Sequence, residues 1–189
     1  ALVMSNPGWF RYEWVWEKPQ ATGFQDANVR PLKAHEHIIV FSDSGCSNGA
    51  SIKMRYMPVM HKGTPYTMKA TQGRGIQYAG ARNIGSITKR NAIDNTGTRY
   101  PRSVLKFAAD IGAHPTQKPL ALLEYLVKTY TNAGDVVLDF TMGSGTCGHA
   151  CGNLDRRFIG IEKDAGYFAI AQERIATAYE PLRMMQVAV

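Results

Sequence analysis

Hydrophobic and polar positions follow three different patterns along the chain. Near the N-terminus, residues 12–16 and 38–41 are strand-like, and a polar segment with proline and glycine separates them. From 43 to 112 no hydrophobic period is sustained, and Gly, Lys, Arg, Asn and Thr predominate. We expect regular structure mainly after residue 112, where helix-like and strand-like runs alternate.

The last third of the chain predicts half of a doubly wound sheet. Residues 119–130 have leucine and valine at helical spacing, with Pro119 in the first turn and Thr116 available as an N-cap. Two short apolar runs, 136–140 and 158–161, are typical of strands buried on both faces. Helical patterns follow each run, at 146–153 and 167–179. Helix, strand, glycine turn, helix, strand and helix in this order indicate an α/β fold.

Composition and cysteine count exclude several classes of protein. The 189 residues are 44% hydrophobic and 20% charged, which is typical of a globular domain. No apolar run reaches the roughly 18 residues of a membrane span, and the chain does not start like a secretory signal. Three cysteines are too few for a disulfide framework. We expect a cytoplasmic protein, bacterial or phage-encoded, with no membrane partner.

The net charge of +7 is concentrated in one segment. Residues 45–109 hold 11 Lys and Arg against one acid, Asp94, so the rest of the chain is mildly acidic. A segment this basic predicts a surface that faces a polyanion, and nucleic acid is the obvious candidate. A solvated basic loop is the alternative.

A glycine turn follows the first predicted strand of the last third. Gly143 and Gly145 would let the backbone approach a ligand, and Glu162 ends the next strand, where an acid can accept hydrogen bonds from ribose hydroxyls. The turn lacks the Gly-Lys-Ser/Thr ending of a phosphate loop and the full dinucleotide fingerprint. These residues predict an adenosine-containing cofactor and leave nicotinamide cofactors and S-adenosylmethionine both open.

Several strings together resemble the β-class amino-methyltransferases of DNA, including phage-type and orphan members. The strings lie in residues 10–42 and 99–178: Glu13-Trp14-Val15-Trp16-Glu17-Lys18, His35-Glu36-His37-Ile38-Ile39-Val40-Phe41, Tyr100-Pro101-Arg102-Ser103, His114-Pro115-Thr116-Gln117-Lys118-Pro119, Leu138-Asp139-Phe140-Thr141-Met142-Gly143-Ser144-Gly145-Thr146, and Arg157-Phe158-Ile159-Gly160-Ile161-Glu162 with Tyr167 and Arg174. The resemblance implies a Rossmann-like S-adenosylmethionine-dependent methyltransferase fold in the permuted β-class order. It also implies a methyltransferase domain of 1–42 and 113–189, interrupted by a basic target-recognition insert at 43–112.

The resemblance assigns the cofactor, S-adenosylmethionine, to a defined set of residues. Glu162 would hold the ribose hydroxyls, and Thr116, Gln117 and Lys118 would close over the methionine end. The full set of cofactor-binding residues is His114, Thr116, Gln117, Lys118, Asp139, Thr141, Gly143, Ser144, Gly145, Thr146 and Glu162. The family usually has Asp-Pro-Phe before the glycines, whereas Phe140 and Thr141 stand at the last two positions here. The adenine-facing wall is therefore expected to be less apolar than usual.

The family's catalytic motif, Asp/Ser/Asn-Pro-Pro followed by an aromatic residue, does not occur in residues 1–189. Ser5-Asn6-Pro7-Gly8-Trp9 resembles it superficially, but it lies too close to the next strand and is interpreted as a turn. Without the catalytic strand, the strand at 136–140 would expose an apolar edge. The motif is expected upstream of Ala1, and the catalytic residues stay unknown.

The hypothesis is methyl transfer from S-adenosylmethionine to adenine N6 in DNA. Cytosine N4 methylation, a catalytically inactive remnant that binds cofactor or DNA, and a nicotinamide-dependent oxidoreductase are the alternatives. Duplex DNA is the expected partner, a homodimer is left open, and no metal is expected. The candidate DNA contacts are Lys53, Arg55, Lys62, Lys69, Arg74, Arg82, Lys89 and Arg90. His35, Glu36 and His37 are discounted as metal ligands, and Cys147 and Cys151 as a redox pair. Trp14 and Trp16 are expected in the core.

Overall fold

A computed structural model of the chain describes residues 1–70, 91–110 and 117–187, with side chains as far as residue 180. Contacts divide the chain into two compact units, one of Ala1–Val59 with Arg102–Val189 and one of Met60–Pro101. No helix in the described ranges is long and apolar enough to cross a membrane.

The described residues form these helices and strands, in chain order: α1 (Leu2–Ser5), β1 (Phe10–Thr22), β2 (Lys33–Phe41), β3 (His61–Lys62), β4 (Tyr66–Met68), β5 (Ile93–Asn95), β6 (Thr98–Arg99), β7 (Val104–Lys106), α2 (Leu120–Tyr130), β8 (Val136–Asp139), α3 (Thr146–Asn153), β9 (Arg157–Gly160) and α4 (Ala165–Val187), with a short 3₁₀ turn at Phe24–Asp26. Every strand and helix predicted from the sequence is present, and β1, β2 and α4 are longer than predicted.

The larger unit is built around a three-stranded sheet in the order β2-β1-β7. β1 pairs antiparallel with β2 and parallel with β7. Alternate residues of a strand face opposite sides, so Trp14 and Trp16 lie on one face, where they are 4% and 5% exposed. They pack with Leu105 of β7 and with Leu122 and other apolar residues of α2 in the main core. The prediction that these tryptophans are core residues is confirmed.

Helix α2 covers this core and begins at Leu120, one residue after the predicted start. The N-cap is Pro119, and the amide of Leu120 donates a hydrogen bond of 2.7 Å to Asp110 Oδ2. A carboxylate at a helix start compensates amides that lack intrahelical partners. The predicted cap, Thr116, lies outside the described residues.

The second layer has the predicted order of strand, glycine turn, helix, strand and helix. β8 pairs parallel with β9, from Val136 opposite Arg157 to Asp139 opposite Gly160. α3 and α4 pack on this pair so tightly that a Cβ at Gly148 would lie 2.5 Å from Ile175 and 2.7 Å from Phe158. Helix packing therefore requires glycine at this position.

The prediction that β8 and β9 are buried on both faces is wrong for the described chain. Leu138 is 58% exposed and Phe140 71%, and Ile159 and Ile161 are each 54% exposed. The reason is that α3 and α4 cover one face, while no described segment covers the other. Among the described strands β8 pairs only with β9, so the other edge of β8 is unpaired there, as the sequence predicted for a chain without the catalytic strand.

The smaller unit contains two short antiparallel ribbons, β3 with β6 and β4 with β5. Arg99 of β6 connects the two ribbons. Its Nη1 donates to Asn95 Oδ1 of β5 at 2.6 Å, and its guanidinium lies 4.6 Å from the centroid of the Tyr66 ring of β4. This unit falls within the predicted insert of 43–112. Residues 43–59 and 102–110 group with the larger unit, where Met54 and Val59 pack against the core. The role of the insert in target recognition stays a prediction.

Candidate functional site

A cavity of about 290 Å³ lies where β8 ends and the glycine turn begins. The carboxyl ends of parallel strands in open α/β sheets are the usual place for ligands. The cavity is lined by Gln117, Lys118, Leu123, Asp139, Thr141, Met142, Gly143, Ser144, Thr146 and Cys147.

The glycine turn has backbone dihedral angles that other residues adopt only at a cost in free energy. Gly143 and Gly145 have φ of +53° and +77°, in the left-handed region that favours glycine. Gly145 caps α3, and its amide donates to Met142 O at 2.9 Å. A Cβ there would also lie 2.8 Å from the Cβ of Ala171. The turn therefore holds its backbone close to α4 while its other side faces the cavity.

Arg174 of α4 fixes the residue between the two glycines. Its Nη1 donates to Ser144 O at 2.6 Å and to Ser144 Oγ at 2.8 Å. Ser144 Oγ in turn donates to Gln117 Oε1 at 3.0 Å. Charge-assisted hydrogen bonds are stronger than neutral ones, so this network ties together the turn, the segment before α2 and the last helix.

Glu162 braces the turn from the loop after β9. Its Oε2 accepts the amide of Gly143 at 2.8 Å, and its Oε1 accepts the amide of Asp164 at 2.9 Å. The hydrogen bonds from Asp164 and Gly143 lower the pKa of Glu162 below its ordinary value. A carboxylate has about four acceptor positions, so Glu162 keeps capacity for ligand hydroxyls.

Lys118 brings a positive charge to the cavity and is itself paired. Its Nζ lies 2.8 Å from Glu36 Oε2 on β2 and 6.0 Å from the centroid of the Trp16 ring. Partial burial acts to raise the pKa of Glu36. The hydrogen bond and charge of Lys118, together with the charges of Lys18 and Lys33, outweigh it and hold this pKa below its ordinary value. Glu36 is therefore ionised at neutral pH.

The two cysteines of α3 form one hydrogen-bonded pair, with Cys151 fully buried and Cys147 at the cavity wall. The hydrogen bond to Cys151, together with burial, raises the pKa of the Cys147 thiol well above its usual range. Cys147 is thus a protonated, small lining residue.

The histidines of β2, His35 and His37, have partners other than Lys118 and Glu36. His37 Nδ1 is 3.0 Å from Glu13 Oε2, and the His37 ring contacts that of His35. Within the ranges that the structure describes, no three His, Cys, Asp or Glu side chains are grouped so that they could hold a metal ion.

Most of the residues predicted to bind cofactor do meet in space. Seven line the cavity, Gly145 shapes its turn, and Glu162 braces it. His114 and Thr116 lie outside the described residues. Their roles toward a cofactor stay predictions.

The sequence did not place Leu123, Met142, Cys147, Arg174 or Glu36 at the cofactor site, although Glu36, Met142 and Arg174 belong to the strings that carry the resemblance. Cys147 and Met142 flank predicted residues, so extending the glycine motif by one residue on each side would have found them. Glu36 and Arg174 are distant in sequence, and no local signal connects them to the turn.

The candidate DNA contacts are only partly described. Lys53, Lys62 and Lys69 are exposed. Arg55 is exposed as well, but its Nη1 is hydrogen-bonded to Asp135 Oδ2 within the larger unit. The remaining candidates, Arg74, Arg82, Lys89 and Arg90, lie outside the described residues.

Comparison with known proteins gives consistent matches. Residues 1–173 match the N6_N4_Mtase family model, described as DNA methylase. The chain is 28% identical over 176 residues to the type II methyltransferase M.XycI of Xanthomonas campestris pv. cyanopsidis, covering 93% of this chain and 47% of that protein. It is 46% identical over 69 residues to M2.DpnII of Streptococcus pneumoniae, covering 36% of this chain and 26% of the relative. The chain thus spans about half the length, or less, of these curated relatives.

Solved structures agree on the architecture. The M1.HpyAVI–SAM complex is 26% identical, with a TM-score of 0.56 over 93% of this chain and 67% of that one. The cytosine-N4-specific PvuII DNA methyltransferase is 17% identical, with a TM-score of 0.55 over 90% of this chain and 56% of that one. The Rossmann-like α/β fold predicted from the sequence is confirmed.

Proposed function

Because the chain belongs to the N6/N4 DNA methylase family, as its sequence motifs predicted, we propose that it binds S-adenosylmethionine and methylates an exocyclic amino group of DNA. The observation that carries the proposal is the cavity at the end of β8. Its wall joins the glycine turn to Lys118 and Asp139, and these groups match different parts of the cofactor.

The residues present fit S-adenosylmethionine chemically. Lys118 supplies a cation for the methionine carboxylate. Asp139 and Glu162, at the ends of the two parallel strands, supply acceptors for hydroxyl groups. Gly143, which lines the cavity, carries no side chain, and a cavity of about 290 Å³ is close to the lower end of ordinary ligand pockets, roughly 300 Å³.

The chain's part in the reaction is to bind and orient. S-adenosylmethionine supplies a methyl group on an electrophilic sulfonium, so that positioning of the acceptor amine suffices for direct displacement. Arg174 and Glu162 keep the glycine turn in place from two sides. Lys118 and Gln117 close the same cavity from the segment before α2.

We assign adenine N6 as the target, following the resemblance to phage-type and orphan adenine methylases. Cytosine N4 is the alternative, because the same displacement serves either amine. The basic segment supports duplex DNA as the partner, since its exposed lysines, including Lys62 and Lys69, can neutralise phosphates.

Calorimetry with S-adenosylhomocysteine, followed by transfer of tritiated methyl groups to unmethylated DNA, tests the proposal. Lys118→Met should weaken binding by roughly tenfold, as for the loss of about 1.4 kcal/mol. Lys128→Met, in the last turn of α2, is the control and should bind like the wild type. The labelled base then separates adenine from cytosine. Binding without transfer would favour the inactive remnant, and absence of binding would refute the cofactor assignment.

Binding to duplex DNA at increasing salt tests the partner. A protein that neutralises phosphates loses affinity with a log–log slope of about −0.9 per contact. Replacing both Lys62 and Lys69 by alanine should make the slope less negative by about 2 if both contact phosphate. Lys163→Ala, on the loop before α4, is the matched control. An affinity that does not change with salt would contradict target recognition by the basic segment.

A further inference from the structure

The ribbon of β1 and β2 continues beyond the core at the end where the cavity lies. The hydroxyl of Tyr130, in the last turn of α2, accepts a hydrogen bond from Trp14 Nε1 at 2.6 Å. Two residues later on β1, the ring centroid of Trp16 lies 6.0 Å from the ammonium of Lys118, just before the start of α2. β1 therefore runs against the direction of α2, toward the end of this helix that adjoins the cavity. Beyond Trp16 the strand continues to Thr22, past that end.

Residues 18–33 form an arm that is mostly exposed. In this arm, residues 18–21 of β1 stand opposite Ala34 of β2 alone, and irregularities of this kind bend a ribbon and are common beside active sites. From Trp16 to Thr22 the strand can advance by at most about 20 Å. In duplex DNA, at about 3.4 Å per base pair, this length corresponds to about six base pairs. The arm is therefore within reach of DNA whose target base enters the cavity.

Lysines at the base of the arm add positive charge beside the cavity. Lys118 of the cavity wall lies 2.8 Å from Glu36 Oε2. Lys18 and Lys33 lie near the same carboxylate, because their charges also act to lower its pKa. Lys18 Nζ donates to Thr22 Oγ1 at 2.9 Å, so its ammonium is held on the arm. Three lysines thus lie around one acid, which leaves an excess of two positive charges.

The tip of the arm is apolar. Phe24 is 76% exposed and Val29 77%. Phe24 stands in a 3₁₀ turn that begins after Gly23, which has φ of +88°. The one acid of the arm, Asp26, is paired with Arg30. Proteins that kink DNA insert such apolar side chains between base steps, and lysines bind the phosphates on either side. The arm is thus complementary to a duplex both in charge and in its apolar tip.

We propose that the arm contacts DNA beside the target nucleotide, with Lys18 and Lys33 on backbone phosphates and Phe24 inserted between bases. The inference rests on the proposed function and adds to it a surface that includes none of the eight candidate DNA contacts of the basic segment. A second copy of this chain would bring the same positive charges to the contact, whereas a duplex brings phosphates. An inserted ring unstacks bases and bends the duplex, which eases the extrusion of a base that an enzyme must reach.

Fluorescence anisotropy of the whole chain with a short, labelled, unmethylated duplex tests the lysines. Binding is measured at several salt concentrations, since each phosphate contact contributes about −0.9 to the log–log slope. Lys18→Ala and Lys33→Ala should each make the slope less negative by about 0.9. Lys128→Ala is the matched control and should leave the slope unchanged, because Lys128 lies in the last turn of α2, away from the cavity.

The phenylalanine has a different signature in the same assay. Phe24→Ala should weaken binding by roughly tenfold at every salt concentration, as for the loss of one stacking contact. The slope should stay unchanged, because no charge is removed. Phe24→Leu keeps a side chain that can insert and should retain most of the affinity. Met4→Ala is the control for an equally exposed apolar residue outside the arm, since Met4 is 75% exposed.

Two results would overturn the inference. If Lys18→Ala and Lys33→Ala keep the wild-type slope, the arm makes no phosphate contact. If Phe24→Ala keeps the wild-type affinity, the tip does not insert into DNA, and a loss of self-association in sedimentation would assign it to a second copy. Urea unfolding with wild-type stability shows that the variants are folded. Failure of the wild type to bind the duplex at any salt concentration would instead refute DNA as the partner in the proposed function.

Discussion

A methyl group added at Gly145 should be costly for two separable reasons. The residue has φ of +77°, and an added Cβ would lie 2.8 Å from the Cβ and 2.9 Å from the Cα of Ala171. Left-handed backbone costs an L-residue roughly 1–2 kcal/mol, and overpacking typically about 1–3 kcal/mol. Helix backbone cannot move aside as a flexible side chain can. Gly145→Ala should therefore lower the free energy of unfolding by roughly 2–5 kcal/mol.

Two other glycines separate these contributions. Gly134 has φ of +79° with no atom within 4 Å of an added Cβ, so Gly134→Ala should cost only the backbone part, roughly 1–2 kcal/mol. Gly148 is inside α3, where an added Cβ meets side-chain atoms of Ile175 and Phe158. Gly148→Ala should therefore cost the packing part, roughly 1–3 kcal/mol, less about 1 kcal/mol gained because alanine favours a helix interior more than glycine does.

Urea denaturation followed by circular dichroism measures all three variants. The affinity for S-adenosylhomocysteine, measured alongside, should fall for Gly145→Ala because the displaced turn forms the cavity wall, and should be unchanged for Gly134→Ala. If Gly145→Ala is no less stable than Gly134→Ala, the close approach of the turn to α4 is not a stabilising feature.

Three further perturbations test the contacts around the core and the site. Tyr130→Phe removes a hydroxyl that accepts a hydrogen bond from the indole N–H of Trp14 at 2.6 Å. It should lower the free energy of unfolding by about 1–3 kcal/mol, because a buried donor loses its partner. A loss below about 0.5 kcal/mol in urea unfolding would contradict this. Glu162 has a lowered pKa, so its stabilising contribution is present above the ordinary glutamate pKa of about 4.3 and is lost as pH falls through the lower folded value. Glu162→Gln should therefore reduce the slope of stability against pH on the acid side, and an unchanged slope would contradict that assignment. Arg174→Met leaves the buried Ser144 without its charged donor, and it should weaken S-adenosylhomocysteine binding more than Arg174→Lys, which calorimetry can decide.

Features that depend on neighbouring residues in sequence were predictable. The glycine turn follows from two glycines directly after an apolar run, because few other residues adopt those backbone angles. The burial of Trp14 and Trp16 follows from the period of a strand. The family motif strings located most of the cavity wall, because the turn and the first residues of α3 are contiguous in the chain.

Contacts between distant segments were decided only by the tertiary structure. The sequence suggested β8 and β9 as fully buried strands, but burial depends on which segments cover each face, and Leu138 and Ile159 are exposed. Thr116 was a plausible cap by its residue type, yet Asp110 accepts the first amide of α2 because the fold brings it there.

Composition and motif determined the class of fold, the family and the location of the cavity, because local backbone preferences and short strings encode them. The pairing of Lys118 with Glu36 and of Ser144 with Arg174 was decided by packing. In each case the partners are tens of residues apart, and a charge interacts with whichever group the fold places beside it. Sequence therefore supplied the ligand-binding groups, and the tertiary structure set their charge balance and orientation.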